Sequence, residues 1–163
     1  EKYASLYSVT HGLQVITVRP ANAYGEGQRP FLGQGFIATA MAFAMQGEPV
    51  KIFNKQGAVR DYVYVGDIAE GILAAVDRGR SGETYNIGSG VGRSNRNVLD
   101  DMAKMMQEIG CAIRIEYAPE RVFDVNANVL DSSKLQHHTG WAPQMSFDEG
   151  LLQMREWLRS SHV

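Results

Sequence analysis

The stretch Val15-Ile16-Thr17-Val18-Arg19-Pro20 confines this chain more than any other. β-Branched residues crowd a helix and suit a pleated strand. Proline cannot donate to a ladder and stops the strand. The reading is a buried strand over residues 13–18. Before it, Tyr3, Leu6, Tyr7 and Thr10 recur at helical spacing, and His11-Gly12 closes a helix over residues 1–10. Helix, tight turn and strand in that order is the rhythm of an α/β domain. No other strand candidate has the apolar run of a central parallel strand, so the remainder reads as a smaller mixed layer beside it.

Residues 21–35 read as a loop, with Gly25, Gly27, Gly33 and Gly35. An alanine-rich apolar helix follows over 36–45 and ends at Gly47-Glu48-Pro49. Residues 50–53 and 59–65 read as strands around the turn Asn54-Lys55-Gln56-Gly57. Asp67 is placed to cap a helix to about Asp77, with Ile68, Ile72, Leu73 and Val76 inward. Residues 84–87 and 113–117 alternate as strands, 98–109 is amphipathic, and Ser146-Phe147-Asp148-Glu149 is a capping box opening a last helix to about Ser160.

Composition excludes more than it selects. At 163 residues with 44% hydrophobic and 21% charged residues, the chain can bury a core as one domain. A net charge of −2 gives no basic face for nucleic acid. No apolar run is long enough to span a membrane and no signal-peptide pattern opens the chain, so the expected location is cytoplasmic. Cys111 is the single cysteine and reads as a small core residue. His11, His137, His138 and His162 have no ligand spacing for zinc, and no metal site is expected.

Four ordered segments carry a resemblance. Arg19-Pro20-Ala21-Asn22-Ala23-Tyr24-Gly25-Glu26-Gly27-Gln28 fits R-P-x-N-x-Y-G-x-x-Q, and Arg60-Asp61-Tyr62-Val63-Tyr64-Val65-Gly66-Asp67 fits R-D-aromatic-x-x-V-x-D. Tyr85-Asn86-Ile87-Gly88 and Pro119-Glu120-Arg121-Val122-Phe123-Asp124 follow, with Gly140-Trp141-Ala142-Pro143 downstream. In this set the chain resembles the extended short-chain dehydrogenase/reductase family of NAD-dependent nucleotide-sugar epimerases and dehydratases. The resemblance implies the substrate-binding, C-terminal portion of an extended Rossmann-type α/β protein: a small mixed sheet with helices, the N-terminal dinucleotide-binding domain absent. Residues 1–163 would be the substrate domain, with 1–20 the last helix and strand of the Rossmann part.

The resemblance also assigns residues. It implies that Pro20 borders the NAD cofactor, that Asn22 contacts the substrate near sugar and phosphate, and that Arg60 and Arg121 hold the diphosphate. Phe53 would wall the flat base and Asp124 accept from a ribose hydroxyl. The residue types suit those tasks: guanidinium forks onto phosphate oxygens, and a carboxylate accepts two hydrogen bonds. Taken alone, each has a plainer reading. Arg60 beside Asp61 is also a surface ion pair, Asn22 a turn cap, Phe53 a core residue, and Arg121 with Asp124 a pair within a turn. Phe123 departs from the glycine common in R-x-G-D. Asn128 stands where some members carry a tyrosine that limits the C2 substituent, so an N-acetylhexosamine is expected to fit.

The family's glycine-rich cofactor turn and its catalytic Tyr-x-x-x-Lys pair are not in this sequence, so no catalytic residue is assigned. The lysine would lie a few positions before Glu1. Gly88-Ser89-Gly90-Val91-Gly92 is no substitute, its third glycine arriving one residue early for G-x-G-x-x-G. The implied activity is transient oxidation at C4 of a UDP-sugar and hydride return, by a 4-epimerase. A 4,6-dehydratase, a related reductase or a non-catalytic binding module stand as alternatives. The chain alone is expected to be inactive, and the apolar face of its first helix and strand to drive homo-oligomerisation.

Overall fold

The computed structural model describes residues 1–120 and 125–161. Helix α1 (Lys2–His11) ends at Gly12, whose φ of 66° lies in the left-handed region that glycine enters without strain. Strand β1 (Thr17–Pro20) pairs in parallel with β5 (Thr84–Ile87), Thr17 opposite Thr84 and Pro20 opposite Ile87. The strand is thus displaced from the expected residues 13–18, contains Pro20, and is half-buried to exposed instead of buried. One-sided pairing explains it: among the described residues β1 has β5 as its sole neighbour, and an edge tolerates a residue without an N–H.

The expected loop 21–35 also contains a strand. β2 (Asn22–Tyr24) pairs in parallel with β4 (Val59–Tyr64), Asn22 opposite Tyr62. β4 is the hub, taking β6 (Gly92–Ser94) antiparallel and β8 (Ala127–Asn128) parallel. β3 (Val50–Phe53) pairs with β7 (Ile115–Ala118) in a separate parallel ribbon. The turn at 54–57 therefore joins two sheets and not a hairpin; Asn54 Oδ1 accepts the N–H groups of Gln56 and Gly57 at 2.8 and 2.7 Å.

The remaining helices are α2 (Phe36–Gln46), α3 (Val65–Arg78), α4 (Asn95–Gln107), α5 (Ser133–Thr139) and α6 (Phe147–Ser160). The capping box of α6 forms as expected from Ser146 and Glu149. A second one, Ser94 with Asn97, starts α4 three positions before the apolar periodicity begins. Asp67 does not cap α3. The helix starts at Val65, and the Asp67 carboxylate accepts the distant N–H groups of Gln144 and Met145, each at 3.0 Å.

Two apolar clusters hold these pieces. One joins α2, α4 and α6 over β2, β3 and β4, with Met41, Leu99, Met102, Leu151 and Met154 at its centre. The other packs α3, α5 and Trp141 on β5. Each such buried side chain contributes about 2 kcal/mol. α1 lies outside both: none of its residues is buried, and Tyr3 and Val9 are 81% and 83% exposed. The fold is α/β with small mixed and parallel sheets, as the sequence leads one to expect. Among the described residues no helix is long and apolar enough to cross a membrane.

Candidate functional site

The ends of β1, β2 and β8 meet the start of α2 around a cleft of about 490 Å³. Pro20 and Asn22 reach it from β1 and β2, Tyr62 from β4, and Asn128 from β8. Gly35, Phe36 and Ile37 form its far wall. Gly35 is the N-cap of α2 with φ 84° and brings no side chain, so the first-turn N–H groups have no side-chain cap. The backbone angle requires glycine there, and a Cβ would in addition make the Gln28 amide shift, 2.7 Å from its Cδ. Uncapped amides and the positive end of the helix dipole favour an anion at that wall.

Arg60 stands opposite Asn128 in the β4–β8 ladder, next to the cleft. Its Nη1 donates to the carbonyls of Val59 and Val125 at 2.8 and 2.7 Å. The neighbouring Asp61 is fully buried and is not its ion-pair partner. Asp61 Oδ1 accepts from the Ser89 N–H and hydroxyl at 2.9 and 2.6 Å, and Oδ2 from the N–H groups of Gly90 and Leu130 at 3.1 and 3.2 Å. Together Arg60 and Asp61 fasten both ends of the exposed segment 125–130 to β4.

Of the residues read from the sequence, Pro20 and Asn22 come together and Arg60 adjoins them. Asn22 sits in a strand and not at a turn cap. Phe53 lies in the other sheet, half-buried, opposite Ala118 at the end of β3. Arg121 and Asp124 lie outside the described residues.

The cleft's tyrosines are not bases. Burial raises the phenol of Tyr24 well above its ordinary value, and raises Tyr62 to about 12 against the opposing pull of Arg60. Both are neutral hydrogen-bonding groups near pH 7. Arg93, which sequence reasoning missed, faces Arg60 across the β4–β6 ladder. Its guanidinium stacks over Phe147 at 4.1 Å and lies 3.7 Å from Asp101. The α2 terminus was legible as a glycine before an apolar helix, but nothing local in the sequence tells where that terminus points.

The turn after β5 offers no dinucleotide cradle. It leads into β6 and not a helix, and the Ser89 and Gly90 amides already donate to Asp61. Among the described residues no cluster of three metal-ligating side chains occurs.

A family model described as the NAD dependent epimerase/dehydratase family matches residues 1–88. The chain is 32% identical, over 155 residues, to the dTDP-glucose 4,6-dehydratase of Xanthomonas campestris pv. campestris, covering 91% of this chain and 43% of that protein. It superposes with a TM-score of 0.91 and 32% identity on the UDP-glucose 4-epimerase of Thermotoga maritima solved with UDP-glucose, covering 99% of this chain and 51% of that one. The Thermus thermophilus UDP-glucose 4-epimerase, solved with NAD, gives 0.87 and 34%, over 98% of this chain and 51% of that one. The chain spans about half the length of the curated relatives it matches.

Proposed function

This chain belongs to the NAD dependent epimerase/dehydratase family, and from that premise we propose that it is the nucleotide-sugar-binding part of a UDP-sugar 4-epimerase. The observation that carries the reading is the cleft, where Asn22, the uncapped α2 terminus and the flank bearing Arg60 converge. A diphosphate needs such cationic and amide donors. In this reading Asn22 contacts the sugar-phosphate junction, and Arg60 binds the diphosphate through the guanidinium nitrogens that Val59 and Val125 do not engage. Arg121, Phe53 and Asp124 complete the nucleotide end, and Asn128 bounds the sugar.

Residues 1–163 then act as the substrate domain, with α1 and β1 as Rossmann elements at its border. The apolar face of α1 is the expected contact between copies. Pro20, at the end of β1, is the residue this reading places against NAD. In this reading residues 1–163 bind the substrate, and no catalytic role is assigned to any of them. Cytoplasmic location fits the reading.

The similarity to a dTDP-glucose 4,6-dehydratase supports a second reading, in which the base is thymine and the parent a dehydratase. Titration calorimetry with UDP and dTDP tests both. Micromolar binding of UDP over dTDP supports the epimerase reading, the reverse order the dehydratase, and absence of binding to either would overturn the proposed cleft.

A further inference from the structure

We propose that the Tyr85–His138 hydrogen bond is a pH-sensitive latch, holding the C-terminal turn of α5 on β5 while the imidazole is neutral and releasing it on protonation. Tyr85 is fully buried. Its hydroxyl accepts the backbone N–H of Arg80 at 2.9 Å and lies 2.8 Å from His138 Nδ1. The phenol proton therefore points to Nδ1, which acts as acceptor, and the ring proton sits on Nε2. Protonation turns Nδ1 into a donor. The phenol oxygen then faces two N–H groups, and its own proton loses its acceptor beside a side chain with no exposed surface. A buried donor without a partner is unfavourable.

The surroundings add to this. Arg80, His137 and Lys134 bring positive charge towards His138, and Glu83 is the opposing carboxylate, already paired with Lys134. Lys134 Nζ also lies 5.6 Å over the Tyr85 ring. From α3, Arg78 donates to the neighbouring Thr139 carbonyl at 2.8 Å. Burial first, then Arg80, lowers the imidazole below its ordinary range, with Glu83 pulling the other way. A depressed imidazole contributes stability in full above the unfolded value of about 6.5, and loses it as pH falls below that. Leu135 and Thr139, both buried, anchor α5 on either side of the exposed Gln136 and His137, and Thr139 Oγ1 also accepts the Trp141 N–H at 3.2 Å, so release is a local loosening around His138 between two anchors.

Two measurements on the 163-residue chain decide the matter. The ¹⁵N shifts of His138 should report the Nε2–H tautomer at about pH 7.5 and a midpoint below about 6.5. The Nδ1–H tautomer, or a midpoint at or above that value, overturns the latch. Amide protection over residues 136–139, corrected for intrinsic exchange, should fall about tenfold between about pH 7.5 and 5.5 in the wild type. It should stay flat in His138→Asn, which keeps an acceptor that does not titrate; an unchanged pH dependence in that variant also overturns it. If His138→Asn fails to fold, the wild-type shifts decide alone.

Discussion

The backbone N–H of Leu130 donates to the carboxylate of Asp61 at 3.2 Å, across 69 positions of sequence. That bond, with three more from Ser89 and Gly90, makes Asp61 the fastening point of two separate loops. Asp61 lies between Arg60 and Tyr62, so loops and cleft share a three-residue stretch of β4.

Asp61→Ala should therefore cost about 3 kcal/mol of stability, since bonds to an ionised group contribute roughly 1.5–3 kcal/mol each and the loop donors can partly rehydrate. Urea denaturation of the two proteins measures it. A loss near zero would mean the four bonds are replaced without cost.

Gly150→Ala sets two effects against each other. Within a helix the change gains about 1 kcal/mol. A Cβ at 150, however, would fall on the Tyr24 hydroxyl and lie 2.9 Å from Cζ, and the ring is wedged between Tyr64 and Phe147. Overpacking costs about 1–3 kcal/mol, so the clash wins. Thermal denaturation should show a lower Tm for Gly150→Ala, partly restored by adding Tyr24→Phe.

Arg60→Met should weaken UDP binding about tenfold to a hundredfold, the range for losing a charge-assisted bond to phosphate. Calorimetry at two salt concentrations checks it, because the wild-type affinity should fall with salt more steeply than the variant's. Equal affinities would remove Arg60 from the diphosphate site.

Asn128→Tyr should discriminate between sugars. UDP-N-acetylhexosamine binding is expected to drop at least about tenfold while UDP-hexose binding stays within about twofold, since a steric block acts on the larger substituent. Competition against labelled UDP reads both. Equal losses would place residue 128 away from the sugar.

Legibility in the sequence followed locality. α1, α2 and α6 were readable because their signals, the glycine stops and the Ser146–Glu149 box, lie within one turn of the element they mark. β6, β8 and α5 were not. Strands of two and three residues carry no periodicity and exist through partners in β4. β1 was displaced because its pairing with β5, some 67 positions away, selects its register, and not its own β-branched run. Pro20 and Asn22 in the cleft, and Arg60 beside it, were carried by contiguous motifs. The Asp61 network and the aim of α2 depend on packing between distant segments, and Phe53 falls in a sheet of its own.

Segment 125–130 is held by polar bonds to β4 and buries almost none of its own side chains, Val125 remaining 62% exposed. The side chains of 125–129 are exposed, and exchanges there fall in the class of surface changes worth within about 0.5 kcal/mol, whereas Leu130 is half-buried beside Gly88. On the proposed reading, an exchange at Asn128, which borders the cleft, therefore alters the fit of the sugar at little cost to the fold.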